Sequence, residues 1–494
     1  MIDPDSNRAD LRWRRLCAVL IVISVVVRLL CAASIELLPE ETYYWNYSQH
    51  LDIGYLDHPP MVAWLIRLGT AAFGDTAIGV RAGAILCGAL ASLFIYKLTR
   101  NLFGAPSALT ALLFMQTLPF CFCSGFLMTP DAPLTAAWAA TLFFLERTLI
   151  AGRASGWWGA GISLGLGLVS KYTIAMLVPA AFVFMLLDRD ARHWLRHWAP
   201  YCAGLLALVL FAPVIAWNAQ HEWISFAFQT SQRLAERPRF SLHKLLLSAL
   251  ALLTPVGFVT IIGALRGQKS APSPEQRACR FLAVSVLLPF TVYFLFSLQH
   301  EVKLDWTGTV WLAALPALAH AARGRVRTAW AVTLVVLLMI YGIALDYFVL
   351  GIPGVGYSEH MEVSPVGWRD LGGQVSTLAD EVRRRTGTEP LVVGMDRYAT
   401  ASELAFYAAG RKDAVAETTA SHLFGGSGLM YEQWFPPQRI VGRTLLLVAL
   451  NPRSVSDPAL PPHAARLEPP AEGLLLRHGK VVHRFYYRVV FGYH

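Results

Sequence analysis

The chain has 494 residues, of which 55% are hydrophobic and only 15% charged, with a mean hydropathy of +0.45. A soluble domain carries roughly 25% charge, so most of this chain cannot face water; a disordered segment, a collagen-like fibre and an ordinary soluble enzyme are excluded. The net charge of +9 fits the cationic cytoplasmic loops of a multi-span membrane protein, and no zinc finger, RNP-type motif or basic run with interleaved aromatics points to nucleic acid.

Met1 to Arg15 is polar, with four arginines before an apolar run that begins near Leu16. That run is too long for a signal peptide and many spans follow it, so it reads as a first transmembrane anchor with its N-terminus inside. Further apolar stretches lie at about 79–99, 106–127, 132–150, 157–170, 172–187, 199–218, 243–265, 280–298, 307–322 and 329–350, which makes about eleven helices. The pair on either side of Lys171 is short. Counting Lys and Arg on alternate sides places roughly 18 inside, in the N-terminus, Arg147–Arg153, Asp188–His197, Arg266–Arg280 and Arg323–Arg327, against about 8 outside. An odd helix count puts the C-terminus outside.

From about Ser364 the composition changes. Trp368 to Arg385 reads as an amphipathic helix, Pro390 to Met395 as a short strand, Ala399 to Ala409 as a helix and Thr444 to Leu450 as a strand. His483 to Phe491 alternates aromatic and polar residues as an edge strand does. The fold class is therefore a polytopic α-helical membrane protein with a small C-terminal α/β domain. Residues 1–350 form the membrane region, with a first outside loop at 39–78, and 351–494 the outside domain. That domain has no G-x-G-x-x-G, P-loop or G-x-S-x-G motif, so no second enzyme is expected in it. The seven cysteines all lie in or beside apolar runs and none lies in the final third, which rules out a disulfide framework there; Cys121 and Cys123 form a C-x-C without a partner pair.

The chemistry concentrates in the first outside loop. Between two apolar spans it carries Glu40, Glu41, Asp52, Asp57 and His58 together with Tyr43, Tyr44, Trp45 and Tyr47, and its Pro60–Thr70 stretch is an amphipathic helix suited to a membrane surface. Two adjacent carboxylates just beyond a membrane helix suit a general base and its orienting partner; a solvated loop with an interfacial aromatic belt has the same composition. Asp131, Lys171, Lys303 and Asp305 lie at other outside ends. Helix-end charges snorkel, but cations and carboxylates on one membrane face are also what a lipid-phosphate substrate requires.

The loop P-E-E-T-Y-Y-W, then G-Y-L-D-H-P-P-M, F-G-D-T-A-I-G-V-R, T-P-D-A-P, G-L-G-L-V-S-K-Y-T and the K-x-x-W turn at Lys303 occur in an order that resembles the bacterial branch of the protein O-mannosyltransferase superfamily, which includes the lipid A aminoarabinose transferases. The resemblance covers about residues 10–350. It implies a GT-C glycosyltransferase that takes a sugar from a polyprenyl-phosphate carrier on the outer side of the bacterial inner membrane and transfers it with inversion. The acceptor is lipid A, another glycolipid, a polysaccharide or a protein. Aminoarabinose, mannose, galacturonic acid and hexosamine donors are all compatible.

The resemblance also implies roles for residues. Glu40 stands where the family has its catalytic Asp, Glu41 follows it, and Asp131 matches the second family carboxylate. His58 takes the place of a phosphate-binding lysine; as a cation it makes donor affinity pH-dependent, with a midpoint raised by the lipid phosphate and by Asp57. Arg81, Arg233 and Lys303 match further cations, and Lys171 joins them on the donor phosphate. Tyr43, Tyr44 and Trp45 stack on the sugar or anchor the loop at the interface. Asp57 matches an acidic metal ligand of some members, but Thr230 stands where a histidine is expected; no metal and no cofactor is predicted, and His221 and His243 are loose candidates only. The alternatives are a flippase or transporter of lipid-linked sugars, whose expected internal repeats are not seen, and a non-catalytic envelope scaffold.

Overall fold

The computed structural model describes residues 4–494 except 236, 267–272, 325, 353–355, 358–363, 409, 412 and 478, with side chains left aside at 4–10 and 264–266. The expected basic loops at 266–280 and 323–327, and the boundary near 351–364, therefore lie partly outside the described residues. Six described helices are long and apolar enough to cross a bilayer: Leu11–Ser34, Ala77–Thr117, Ala199–Gln220, Leu242–Gly263, Pro274–Ser297 and Arg327–Leu350. The chain is a multi-pass membrane protein.

The chain forms two compact units. The first comprises Met1–Leu30, His58–Val62 and Arg81–Tyr341, and the second Cys31–Asp57, Ala63–Val80 and Gly342–His494. The loop assigned by sequence to the membrane region thus folds for the most part with the C-terminal part of the chain.

In the first unit, helices break where the backbone leaves αR. Gly104 takes φ 82° just before Pro106, which divides the helix Ala77–Thr117, and Thr254 takes φ 66° before Pro255. The stretch expected to span 106–127 is helical only to Thr117, and Pro119–Cys123 adds a short second turn. The segments flanking Lys171 form Gly156–Leu168 and Leu177–Leu187, each shorter than a bilayer crossing. Small residues set how closely helices pack. A Cβ on Gly161 would come within 2.6 Å of the Ala203 carbonyl oxygen, so Gly156–Leu168 rests directly on Ala199–Gln220.

In the second unit a six-stranded sheet is built from β1 (Leu391–Gly394), β2 (Thr418–Ala420), β3 (Leu445–Ala449), β4 (Ala464–Leu467), β5 (Ala471–Arg477) and β6 (Lys480–Tyr493), in the order β2-β1-β3-β6-β4 with β5 also on β6. β2, β1 and β3 are parallel and buried throughout, which is why β1 and β3 read as continuous apolar runs. The helix Trp368–Thr386 turns Trp368, Leu371, Val375, Ala379 and Val382 into the core with Val392, Leu446 and Phe485. The expected edge strand is instead interior. β6 pairs antiparallel with β3 on one side and with β5 and β4 on the other. A sheet covered on one face gives the same period of two as an edge strand, so alternation alone does not separate them.

Candidate functional site

The charges expected to handle a lipid phosphate gather in the first unit. Asp131 opens the helix Asp131–Leu149, where a carboxylate is favoured by the helix macrodipole. Lys171 lies in the break after Gly156–Leu168, in extended backbone, and its Nζ donates to both Asp131 oxygens at 3.0 Å. Each of these side chains is only 14% exposed. A buried ion pair gains little net stability once both charges have lost their water. Its presence points to a use.

Arg233 follows a single π-helical turn, Phe228–Gln232, a geometry frequent at functional sites. Its guanidinium carbon stands 4.8 Å from the centroid of the Trp306 ring and 5.9 Å from that of Phe228. Lys303 is exposed and lies three residues before Trp306, in a turn closed by the Trp306 N–H donating to the Lys303 carbonyl at 3.4 Å. Asp305 in the same turn acts electrostatically on Lys171.

His58 belongs to this unit too. Burial first, and then the positive charges of Lys171, Arg233 and Lys303, hold its imidazole well below the ordinary histidine value. Asp57 is expected to raise His58; in the structure the shift is downward, and the largest charges acting on it are cations. The direction of the shift favours the neutral imidazole at and above about pH 6.5, the ordinary histidine value. Protonation is gained only below the depressed pKa, so kcat/KM for the donor is expected to show no His58-dependent step in that range. Profiles of wild type and His58→Lys should share one shape; a wild-type step near pH 6.5 that vanishes in His58→Asn would overturn this. Arg81 is fully buried, its guanidinium carbon 5.9 Å from the Phe126 ring centroid.

The first-loop residues sit in the second unit. The helix Pro39–Gln49 starts with Pro39 at its first turn, and Glu41 serves its N-terminus: Oε2 accepts the Leu38 N–H at 3.1 Å, the return half of a capping box. Glu41 is completely buried. Glu40, one residue earlier, is exposed, and its charge acts on Tyr44 and Tyr398.

Tyr43, Tyr44 and Trp45, expected to meet a sugar or the membrane interface, are buried. Tyr43 packs 4.7 Å from Tyr398 and accepts the Met430 N–H at 3.3 Å, while Trp45 meets Phe406 edge-on at 5.0 Å and donates to Asp75 at 2.7 Å. These partners come largely from the C-terminal part of the chain, which explains why an aromatic-rich loop need not face lipid. Asp57 is buried and accepts from the hydroxyls of Tyr43, at 3.3 Å, and Tyr47. Burial pushes its carboxyl up, and the two phenols pull it partly back. The donor set around Asp57 is thus phenolic. His221 stacks on Trp217 at 4.1 Å and His243 lies near Phe240, and among the described residues no three His, Cys, Asp or Glu side chains gather as metal ligands.

Sequence reasoning missed Arg28. It is 2% exposed within the first apolar helix and donates to Ser24, Gln116 and the carbonyls of Met115 and Cys121. An arginine inside an apolar run was the available signal.

The family model described as dolichyl-phosphate-mannose-protein mannosyltransferase matches residues 57–217. The chain is 30% identical over 197 residues to the lipid A galacturonosyltransferase RgtD of Rhizobium johnstonii, covering 37% of this chain and 38% of that protein. It is 30% identical over 203 residues to undecaprenyl phosphate-alpha-4-amino-4-deoxy-L-arabinose arabinosyl transferase 1 of Pseudomonas fluorescens, covering 36% and 33%. The matches thus span well under half the length of those relatives. The crystal structure of ArnT from Cupriavidus metallidurans in the apo state superposes with a TM-score of 0.64 at 16% identity, covering 97% of this chain and 98% of that one; the form bound to undecaprenyl phosphate gives 0.62, also at 16%, covering 95% and 97%. The fold is that of ArnT, and the resemblance read from the ordered motifs is borne out.

Proposed function

We propose that this chain is an inverting glycosyltransferase that moves a sugar from a polyprenyl-phosphate carrier to lipid A or a related envelope glycolipid. The observation that carries this reading is the buried Lys171 held by both Asp131 oxygens, together with Arg233 stacked at 4.8 Å on the Trp306 ring in the turn that carries Lys303, cations contributed by three separate segments of one unit. The names of the similar proteins, galacturonosyl and aminoarabinosyl transferases, and the undecaprenyl phosphate bound in ArnT support the same donor class.

In the proposed reaction an acceptor oxygen bonds to the anomeric carbon from the face opposite the leaving group. The anomeric carbon–oxygen bond breaks with its electron pair going to the polyprenyl phosphate. Lys171, Arg233 and Lys303 stabilise the charge growing on that phosphate, and His58 donates a hydrogen bond to it. Asp131 is committed to Lys171 through both oxygens, so it serves as the group that orients the lysine. The acceptor proton then passes to Glu40; where the acceptor is itself a phosphate oxygen, no proton is removed and Glu40 orients the sugar through its hydroxyls. Glu41 supports the helix bearing Glu40. We assign no sugar contact to the buried Tyr43, Tyr44 or Trp45, and Arg81 is kept as a further cation proposed for the donor phosphate.

The setting proposed is the bacterial inner membrane, with about eleven spans, residues 1–350 as the membrane region, a cytoplasmic N-terminus and a periplasmic α/β domain from 351. A reporter fused after His494 is expected to read as periplasmic; a cytoplasmic signal would reverse the topology. The activity is tested with the purified chain in liposomes, radiolabelled undecaprenyl-phosphate sugars (aminoarabinose and galacturonic acid) and lipid A. Label is expected on lipid A. Label that crosses the bilayer still on its carrier would make the protein a transporter instead.

A further inference from the structure

The turn after the helix Pro274–Ser297 is fixed from both sides. Ser241, fully buried, donates through Oγ to the His300 carbonyl at 2.6 Å and accepts the Val302 N–H at 3.1 Å, and its own N–H donates to the Ser297 carbonyl at 2.8 Å. Glu301 in that turn pairs with Arg239 at 2.5 Å and with Lys244. Held this way, the turn presents Lys303 and then Trp306. The Trp306 indole rests against Phe296 at 5.7 Å, and Arg233 stacks over it at 4.8 Å from a different segment of the chain. A guanidinium is planar and stacks on an indole, whereas an ammonium gains less from the same ring.

We infer that Trp306 is a positioning residue for the donor phosphate, holding the Arg233 guanidinium against the turn that carries Lys303 so that the two cations act as one clamp. This rests on the proposed function, in which both cations bind the carrier phosphate. Without the ring, Arg233 keeps Phe228 at 5.9 Å but loses the contact that ties its guanidinium to the Lys303 turn, so part of its ordering is deferred until phosphate arrives, a cost that appears as weaker binding. The ring itself needs no contact with the ligand.

The test uses the full chain in detergent micelles and undecaprenyl phosphate as the probe, with Kd read by titration and thermal melts run alongside. Trp306→Leu is expected to weaken binding by about three- to thirty-fold, the range of a partly desolvated cation–π contact, and Trp306→Tyr to stay within about threefold of wild type. In the Arg233→Ala background Trp306→Leu should change Kd by less than about twofold, because the ring acts through the arginine. Arg233→Lys, which leaves the packed ring untouched, should resemble Trp306→Leu and keeps the test decisive if the leucine variant unfolds. If Arg233→Ala weakens binding but neither Trp306→Leu nor Arg233→Lys does, or if Trp306→Leu costs the same factor with and without Arg233, the inference is overturned while the phosphate site stands. If Arg233→Ala leaves Kd unchanged, the assignment of Arg233 to the phosphate fails first.

Discussion

Asp131→Asn is expected to reduce sugar transfer by about 10²–10³-fold, the loss typical of removing one preorganised charge-stabilising group from a reaction centre. The reason is local. Lys171 sits 14% exposed with both carboxylate oxygens at 3.0 Å, and the amide leaves its ammonium buried beside a neutral group. Such a charge neutralises or swings toward Asp305, and either outcome withdraws it from the phosphate. Breaking a buried pair also costs about 3–5 kcal/mol of stability, so the melting temperature should fall. The double variant Asp131→Asn with Lys171→Met removes both charges; it should recover much of the melting temperature and none of the transfer. Wild-type transfer in Asp131→Asn would sink the assignment of Lys171 to the phosphate.

Glu40→Gln should remove transfer to a hydroxyl acceptor by about 10²–10⁴-fold, the usual scale of lost acid–base help, with an unchanged melting temperature because the side chain is exposed. Glu40→Asp should retain activity. Glu41→Gln makes a useful contrast: an amide still accepts the Leu38 N–H, so both stability and transfer should hold, whereas Glu41→Ala removes the cap and costs about 0.5–2 kcal/mol. A fully active Glu40→Gln beside an inactive Asp131→Asn would move the base to Asp131.

What the sequence made legible was the type of each segment and the charges that do not belong in it. Lys171 was conspicuous because it interrupts an apolar run and Asp131 because it lies at an outside helix end, and 40 residues of chain hid the fact that they pair. The helices from Trp368 and Ala399 and the strands at Leu391 and Leu445 announced themselves by periodicity and by short apolar runs. Pairing partners left no such mark. Tyr43 finds Tyr398 and Met430 more than 350 positions away, and a tyrosine-rich loop has one composition whether it meets lipid headgroups or another layer of protein. His58 shows the same limit in electrostatics: its neighbour in the chain is an aspartate, yet the charges that set its protonation are three remote cations. The depth of a helix in a bilayer is equally nonlocal, so short apolar segments such as the 13-residue Gly156–Leu168 fix neither a span nor its ends from composition.

The second unit is stitched from Cys31–Asp57, Ala63–Val80 and Gly342–His494. A ribosome making this chain therefore completes the first two pieces about 260 residues before the third begins. At common synthesis speeds that interval is roughly 10–50 s. For that time Tyr43, Tyr47, Trp45 and Asp57 are without the scaffold that later encloses them, a stretch of sticky, half-made surface on a nascent protein. A chain that ends before Gly342 lacks the third piece, and its loop cannot close. Such products should be cleared by proteolysis rather than accumulate as a truncated protein.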